Sequence, residues 1–200
     1  MHSGADALTT SSTPLLAARG LGMIRGERVL FRDVSLSLAA GEAILLRGAN
    51  GAGKTTLLRI LAGLTRPEAG SVSKGAAVHW FAHREGLKPA ETPRTHLALW
   101  ASAWGSNIDR EVILTRMGLA RPAEVPARHL SAGQRRRTAL ARLLLEDRPV
   151  WLLDEPYTAL DAEGRRLVND LIAEHRAKGG ALIAAIHGEA GFAPSSELAL

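Results

Sequence analysis

The sequence predicts an α/β fold built on a mainly parallel sheet, and two observations indicate this class. Short apolar runs at residues 43–48, 150–155 and 181–187 alternate with longer segments in which apolar residues recur at helical spacing. The runs are apolar throughout, as strands are when helices cover both faces of a parallel sheet. With 46% hydrophobic residues among 200, the chain has enough apolar side chains for the core of one domain.

The segment ahead of the first run predicts a different kind of strand. Between residues 29 and 42, Val34, Leu36 and Leu38 alternate with polar residues, which is typical of half-buried antiparallel strands. We therefore expect an N-terminal antiparallel β subdomain. The first dozen residues have neither the basic start nor the apolar core of a secretory signal. Residues 1–14 are expected to form a flexible tail, and residues 15–200 a single domain.

Two further segments predict helices. Residues 54–64 carry four leucines at helical spacing, and Pro67 follows as a stop signal. Residues 87–129 hold four prolines and two helical patches, which indicates an insertion rather than more sheet. With the helix start that follows, this inserted helical subdomain is expected at about residues 87–140. Just before it, "VHWF" at residues 78–81 predicts a buried strand that leads into His83 and Arg84.

Composition excludes several classes of protein and site. The absence of cysteine excludes disulfides, thiol catalysis and cysteine-ligated metals. No apolar run approaches the roughly 20 residues needed to span a bilayer. The net charge of +5 suits an acidic partner such as a nucleotide, a nucleic acid or an anionic membrane surface.

The stretch "GANGAGKT" at residues 48–55 predicts a phosphate-binding loop. It fits G-x-x-x-x-G-K-[ST] and lies between a predicted strand and a predicted helix. Glycines let backbone N–H groups surround phosphate oxygens, and the helix N-terminus adds partial positive charge. Lys54 is expected to reach the β- and γ-phosphates, and the Thr55 hydroxyl to bind Mg²⁺. The alternative is a glycine-rich turn without a ligand. The predicted nucleotide-binding residues of this loop are Gly48, Ala49, Asn50, Gly51, Ala52, Gly53, Lys54, Thr55 and Thr56.

The run "VWLLDEP" places Asp154 and Glu155 at the carboxyl end of a predicted strand, the edge at which parallel sheets bind ligands. Consecutive strand residues point in different directions, so the two acids can do different work. Asp154 is expected to hold Mg²⁺ through water. Glu155 is expected to orient and deprotonate the water that attacks the γ-phosphate. The alternative is a helix-start cap ahead of Pro156.

A third motif, "LSAGQ" at residues 130–134, opens a helix with Ser131 as a plausible N-cap. It resembles the signature of ATP-binding-cassette (ABC) ATPases, usually LSGGQ. "TALD" at residues 158–161 resembles the D-loop of that family, and His187 resembles its switch histidine. These elements follow the family's order, and the resemblance covers roughly residues 16–188.

The resemblance implies a fold and a mechanism. The fold is that of a P-loop NTPase with a mainly parallel core sheet. Two copies face each other head to tail, and ATP on the phosphate loop of one is completed by the signature of the other. Glu155 and His187 are the implied catalytic residues, with His187 contacting the γ-phosphate. The implied partner-side residues are Ser131, Ala132, Gly133 and Gln134, with Asp161 at the interface.

Finer detail resembles one branch of this family, the CcmA proteins, which are the ATP-binding subunits of haem exporters in cytochrome c maturation. The shared features are LSAGQ followed by arginines, the short length and the stretch "HREGLK". The resemblance implies an integral membrane partner like CcmB, with CcmC and CcmE in the wider assembly. It places the protein at the cytoplasmic face of the bacterial inner membrane. No direct haem binding is expected, so His79, His83 and His129 are not proposed as ligands.

Three other interpretations were weighed. An ABC-2-type drug or polysaccharide exporter subunit shares every catalytic residue and differs only in its partner. A nucleotide-gated subunit with little hydrolysis binds ATP and dimerises but turns over slowly. A nucleic-acid-binding ATPase is suggested only by Arg135, Arg136 and Arg137, which are interpreted as the solvated first turn of the signature helix, because no aromatic residues are interleaved with them.

Two positions depart from the family's pattern. The aromatic residue that stacks on adenine is replaced, by spacing, by Arg25, whose guanidinium plane can also stack on a base. The glutamine that ends the strand before the helical insertion is replaced by Arg84. Gln134 is the only glutamine in the chain, so no realignment restores it. A cation at position 84 is expected to oppose Mg²⁺ and favour the γ-phosphate.

Overall fold

The computed structural model describes residues 13–200, and the predicted tail, except for its last two residues, lies outside the described residues. Within residues 13–200 the chain forms eight strands and five α-helices. The strands are β1 (Leu16–Arg25), β2 (Arg28–Leu38), β3 (Ala43–Arg47), β4 (Ala69–Lys74), β5 (Val78–Phe81), β6 (Val150–Asp154), β7 (Ala181–Ala185) and β8 (Ser196–Ala199). The helices are α1 (Lys54–Ala62), α2 (Pro93–Trp104), α3 (Arg110–Arg116), α4 (Ala132–Ala141) and α5 (Ala162–Ala177).

The central sheet has five strands in the order β5-β6-β7-β3-β8, and all neighbours are parallel. Every residue of β6 and β7 is buried, as the continuous apolar runs predicted. The α/β class is therefore confirmed. Because the strands are parallel, the loops that follow β3, β5, β6 and β7 all leave from one edge of the sheet, where the candidate site lies. The edge strand β8 has no counterpart in the sequence-based prediction.

The second sheet is antiparallel, with β1 between β2 and β4. Its apolar face packs with α1 and one face of the central sheet, in a core that includes Leu16, Leu38, Leu46, Leu57 and Ile183. This arrangement confirms the predicted antiparallel layer. It also holds the phosphate loop in place, because the loop connects β3 of the central sheet to α1, and α1 packs against both sheets.

Helices α2 to α5 cover the other face of the central sheet. Their core includes Leu153 of β6 and four buried leucines of the helices: Leu97 of α2, Leu114 of α3, Leu140 of α4 and Leu171 of α5. Helices α2, α3 and α4 lie in the chain between β5 and β6, so the segment that links these neighbouring strands is long and helical. None of the helices within residues 13–200 is both long and apolar enough to cross a membrane.

Candidate active site

The loop between β3 and α1 has a backbone that only glycine readily adopts. Gly48 has φ 144° and Gly53 has φ 108°, both in the region that L-residues with a Cβ avoid. A Cβ on Gly48 would stand 2.8 Å from the main-chain oxygen of Leu200, and one on Gly53 would stand 3.0 Å from the Phe31 ring. Within the described residues no side chain caps α1, so the N–H groups of its first turn remain for a ligand.

Lys54 and Thr55 begin α1 and point to different partners. The Lys54 ammonium is 7% exposed and donates to the carbonyls of Gly48 at 2.6 Å and Ala49 at 3.0 Å, which closes the loop. The Thr55 hydroxyl donates to Oδ2 of Asp154 at 2.9 Å. Because β3 and β6 end at the same edge of the sheet, the phosphate loop and Asp154 meet although they are far apart in sequence.

Thr55 and Asp154 together have the chemistry of a magnesium site. Mg²⁺ prefers hydroxyl, carboxylate and water oxygens and takes few of them from the protein. Asp154 is 2% exposed, and burial raises the pKa of its carboxyl, while the Thr55 hydrogen bond acts in the opposite direction. A cation would compensate for this buried negative charge. In residues 13–200 no three histidine, aspartate or glutamate side chains cluster as a complete metal site.

Glu155 stands between two histidines. Its Oε1 lies 3.1 Å from Nε2 of His187, and its Oε2 lies 3.3 Å from Nδ1 of His83. The Thr158 hydroxyl also donates to Oε2, at 3.1 Å. The backbone of Glu155 is left-handed, with φ 50°, a conformation that costs a non-glycine residue about 1–3 kcal/mol and is concentrated at functional sites.

The residue in contact with Glu155 from the end of β5 is His83, the neighbour of the predicted Arg84. Arg84 was expected beside the γ-phosphate, but its side chain is exposed and has no hydrogen bond or ion pair among the described residues. His83 makes the contact instead. The parallel register explains this: Phe81 pairs with Leu153, so two residues further along His83 comes opposite Glu155, on the same side of the sheet.

One open cavity of about 240 Å³ joins most of the predicted residues. Its lining residues come from the end of β1, the phosphate loop, the end of β6 and the loop after β7; they include Arg25, Asn50, Lys54, Thr55, Thr56, Asp154, Glu155 and His187. The structure thus brings Arg25, the loop, both acids and His187 together. The cavity is not lined by Gly48, Ala49, Ala52 or Arg84.

The signature residues lie apart from this cavity, at the N-terminus of α4. The Ser131 hydroxyl accepts from the Gln134 N–H at 3.1 Å, and the Gln134 side chain accepts from the Ser131 N–H at 2.9 Å. This reciprocal capping box fixes the start of the helix. A Cβ on Gly133 would lie 3.2 Å from the Ala159 carbonyl, so the signature turn packs close to the loop that leads to Asp161. Asp161 caps α5 by accepting from the Gly164 N–H at 2.8 Å.

Arg136 was missed by sequence reasoning. It was interpreted as part of a solvated basic turn, but it is 2% exposed. Its guanidinium donates to main-chain carbonyls at the ends of β5 and β6, and it lies 4.3 Å from the centre of the Phe81 ring. A run of three arginines carries no signal that distinguishes the buried one, because its acceptors are main-chain oxygens remote in sequence.

Comparison with known proteins agrees with this geometry. A family model described as "ABC transporter" matches residues 31–158. A cytochrome c biogenesis ATP-binding export protein CcmA of Hyphomonas neptunium is 63% identical over 193 residues, which cover 96% of this chain and 100% of the relative. A protein of the same name from Maricaulis maris is 46% identical over 182 residues and covers 86% of this chain and 85% of its own. A solved structure titled "Structure of ATP binding subunit of ABC transporter" superposes with a TM-score of 0.77 at 25% identity, covering 86% of this chain and 79% of its own.

Proposed function

The chain belongs to the ABC transporter family, and within it to the CcmA proteins, and on this premise we propose that it binds and hydrolyses ATP for an export complex of cytochrome c biogenesis. One observation carries the hydrolytic part of the proposal. Glu155 lies at the carboxyl end of β6 between His83 and His187, in a cavity that also contains the phosphate loop and the Thr55–Asp154 pair.

In the proposed reaction each group has a separate task. The phosphate-loop N–H groups and Lys54 bind the phosphates of ATP. Thr55 and Asp154 hold Mg²⁺, which when bound neutralises charge on the phosphate oxygens. Glu155 orients the attacking water and accepts its proton, and His187 contacts the γ-phosphate. Arg25 lies at the edge of the same cavity, where its planar guanidinium can stack on the base.

The proposal includes a head-to-tail dimer. Ser131 and Ala132 are exposed and lie outside the cavity that contains the phosphate loop. That cavity, at about 240 Å³, is smaller than the roughly 300–1,000 Å³ of typical ligand pockets, which supports a site that a second copy completes. In the dimer Ser131, Ala132, Gly133 and Gln134 of one copy complete the site of the other, and Asp161 lies at the interface.

Oligomeric mass tests this dimer. Glu155→Gln removes the proposed base while keeping the size of the side chain, so ATP should bind and remain bound. We expect the variant to be a monomer without nucleotide and to double its mass with Mg-ATP in light scattering, but not with Mg-ADP. A variant that stays monomeric in saturating Mg-ATP, with ATP shown to be bound, refutes the head-to-tail dimer.

The proposed place of action is the cytoplasmic face of the bacterial inner membrane, with a CcmB-like integral partner and CcmC- and CcmE-like components. The support for this assignment is the name shared by the relatives, at up to 63% identity. These names favour cytochrome c biogenesis over an ABC-2-type drug or polysaccharide exporter.

Complementation tests the assignment in cells. In a bacterium from which the gene is deleted, wild type should restore covalent haem in c-type cytochromes, measured by haem staining, and Glu155→Gln should not. Asp170→Asn makes a comparable carboxylate-to-amide change at an exposed position of α5 and should restore staining like wild type. Normal cytochromes c in the deletion strain would exclude the haem-exporter role and leave the ATPase role standing.

A nucleotide-gated subunit with little hydrolysis is the second candidate, and one observation favours it. The residue facing Glu155 from the end of β5 is a histidine, and the only glutamine of the chain, Gln134, lies in α4. Turnover of purified protein, alone and with its membrane partner, distinguishes the two candidates, because a gated subunit forms the ATP dimer without measurable phosphate release.

A further inference from the structure

Arg136 is an arginine placed where arginines are rarely found. It lies in α4, one helical turn after the start of the signature helix, and is 2% exposed. Among the described residues it makes no ion pair with a carboxylate, and its hydrogen bonds go to main-chain oxygens. Burial lowers its pKa to about 10, which leaves it charged at neutral pH. A buried charge is tolerated only where hydrogen bonds compensate for its lost hydration, so the main-chain contacts of Arg136 call for a functional or structural explanation.

The two terminal nitrogens of Arg136 serve two different strands. One donates to the carbonyls of Ala82 at 3.4 Å and His83 at 2.7 Å, just after β5. The other donates to the carbonyls of Asp154 at 3.0 Å and Glu155 at 2.5 Å, at the end of β6. A planar fork of donors can span two acceptor segments in this way, whereas a lysine ammonium is a single point of donation.

Both strand ends need support beyond the sheet. The paired register of β5 and β6 stops at Phe81 and Leu153, so Ala82, His83 and Glu155 lie past the strand pairing, whereas Asp154 still pairs with Ala185 of β7. Glu155 in addition has the strained φ of 50°, which persists only where surrounding contacts determine it. Its N–H donates to the Ala185 carbonyl at 2.9 Å on one side, and its own carbonyl is held by Arg136 on the other.

The same guanidinium also fixes the partner of the Glu155 carboxylate. His83, whose carbonyl accepts from Arg136, places its ring 3.3 Å from Oε2 of Glu155. The Phe81 ring, with its centre 4.3 Å from the guanidinium carbon, supports the Arg136 side chain from the β5 side. A single side chain of the signature helix therefore binds the main-chain carbonyls of both residues of the Glu155–His83 pair.

We propose that Arg136 is a positioning residue for hydrolysis, which holds the carboxylate of Glu155 and the ring of His83 in their working arrangement and ties both to α4. This inference rests on the proposed role of Glu155 as the base. Arg136 donates to the main chain of Asp154 but not to its carboxylate, and within the described residues it has no hydrogen bond to the phosphate loop, so its loss should lower turnover more than it weakens ATP binding.

The test compares Arg136→Lys and Arg136→Met with Arg137→Lys and Arg137→Met in the full-length protein. Arg137 is the next residue of the same helix, and within residues 13–200 it has no hydrogen bond to either strand end. The readouts are kcat and KM for ATP, the Kd of a fluorescent ATP analogue and the melting temperature. Lysine keeps the buried positive charge but lacks the two terminal nitrogens that reach both strands. A defect in Arg136→Lys therefore reports lost positioning rather than the loss of a charge that stabilises the fold.

We expect Arg136→Lys to lower kcat by about tenfold or more while KM and Kd for ATP stay within about twofold. Arg136→Met should lower kcat at least as far, and the Arg137 variants should match wild type. A folded Arg136→Lys with wild-type kcat overturns the inference, as does a loss confined to KM or an equal loss in Arg137→Lys. If wild type itself shows no turnover, the proposed ATPase function is refuted. That outcome is distinguishable from every result that overturns the role of Arg136 alone.

Discussion

Protonation of His79 should destabilise the fold under mildly acidic conditions, and substitution of this residue should remove part of that sensitivity. His79 lies in β5 and is 3% exposed, with its ring 5.1 Å from the ring of Trp104. Its Nε2 lies 3.0 Å from the carbonyl oxygen of Glu146. Burial lowers the pKa of His79 to about 4, and the nearby charges of Arg148 and Arg142 act in the same direction.

The sign follows from proton uptake. In the unfolded chain the imidazole has its ordinary pKa of 6.5, so between pH 6.5 and about 4 the unfolded state binds more protons than the folded state. The contribution of neutral His79 to stability is therefore complete above pH 6.5 and is lost as the pH falls towards 4. The full pKa difference of about 2.5 corresponds to about 3.5 kcal/mol, at about 1.4 kcal/mol for each pH unit. Because pH 5 lies only about 1.5 below the unfolded pKa of 6.5, about 2 kcal/mol of this is lost between pH 8 and pH 5.

The assay is urea unfolding of wild type and His79→Gln at several pH values between 8 and 5. Glutamine can still donate to the Glu146 carbonyl but cannot take up a proton. We expect the unfolding free energy of wild type to fall by about 2 kcal/mol more than that of the variant over this range, with unchanged m-values. His96 and His175, whose pKa values burial also lowers, remain in both proteins and cancel. Parallel pH profiles for the two proteins would refute the reasoning.

Two further predictions concern the loop and the end of β5. Gly48→Ala should lower both the melting temperature and the affinity for ATP more than Gly179→Ala does. Both glycines have a positive φ, but only a Cβ on Gly48 would meet a backbone oxygen, at 2.8 Å. Equal losses for the two variants, in thermal melts and nucleotide titrations, would show that the close contact is unimportant. His83→Ala should change ATP turnover more than Arg84→Ala, because only His83 contacts Glu155; a larger effect at Arg84 would restore the sequence-based assignment.

Sequence reasoning succeeded where local pattern and structure coincide. The buried parallel strands were recognisable because every residue of β6 and β7 is apolar up to Asp154. The strand β8 was missed because its four residues, Ser196–Ala199, are mostly exposed and its pairing with β3 depends on a distant partner. Local composition does not contain that information.

Sequence reasoning also missed two contacts at the site, and for the same reason. Arg84 was assigned from its order in the chain, whereas the contact with Glu155 is decided by the register between β5 and β6, which gives His83. Arg136 resembles its two neighbours in sequence, and only the carbonyls of Ala82, His83, Asp154 and Glu155 distinguish it. Knowledge that β5 and β6 are neighbours would have revealed the contact of His83 but not the burial of Arg136.

The most direct test of the account is ATP turnover of Glu155→Gln, measured as phosphate release beside wild type and Asp170→Asn. Glu155 is the only acid placed here as the base, and general base catalysis contributes about 10²–10⁴-fold to a rate. The account predicts that Glu155→Gln loses turnover by about 10²-fold or more while ATP still binds, and that Asp170→Asn retains it. Wild-type turnover in Glu155→Gln would contradict the assignment of the active site.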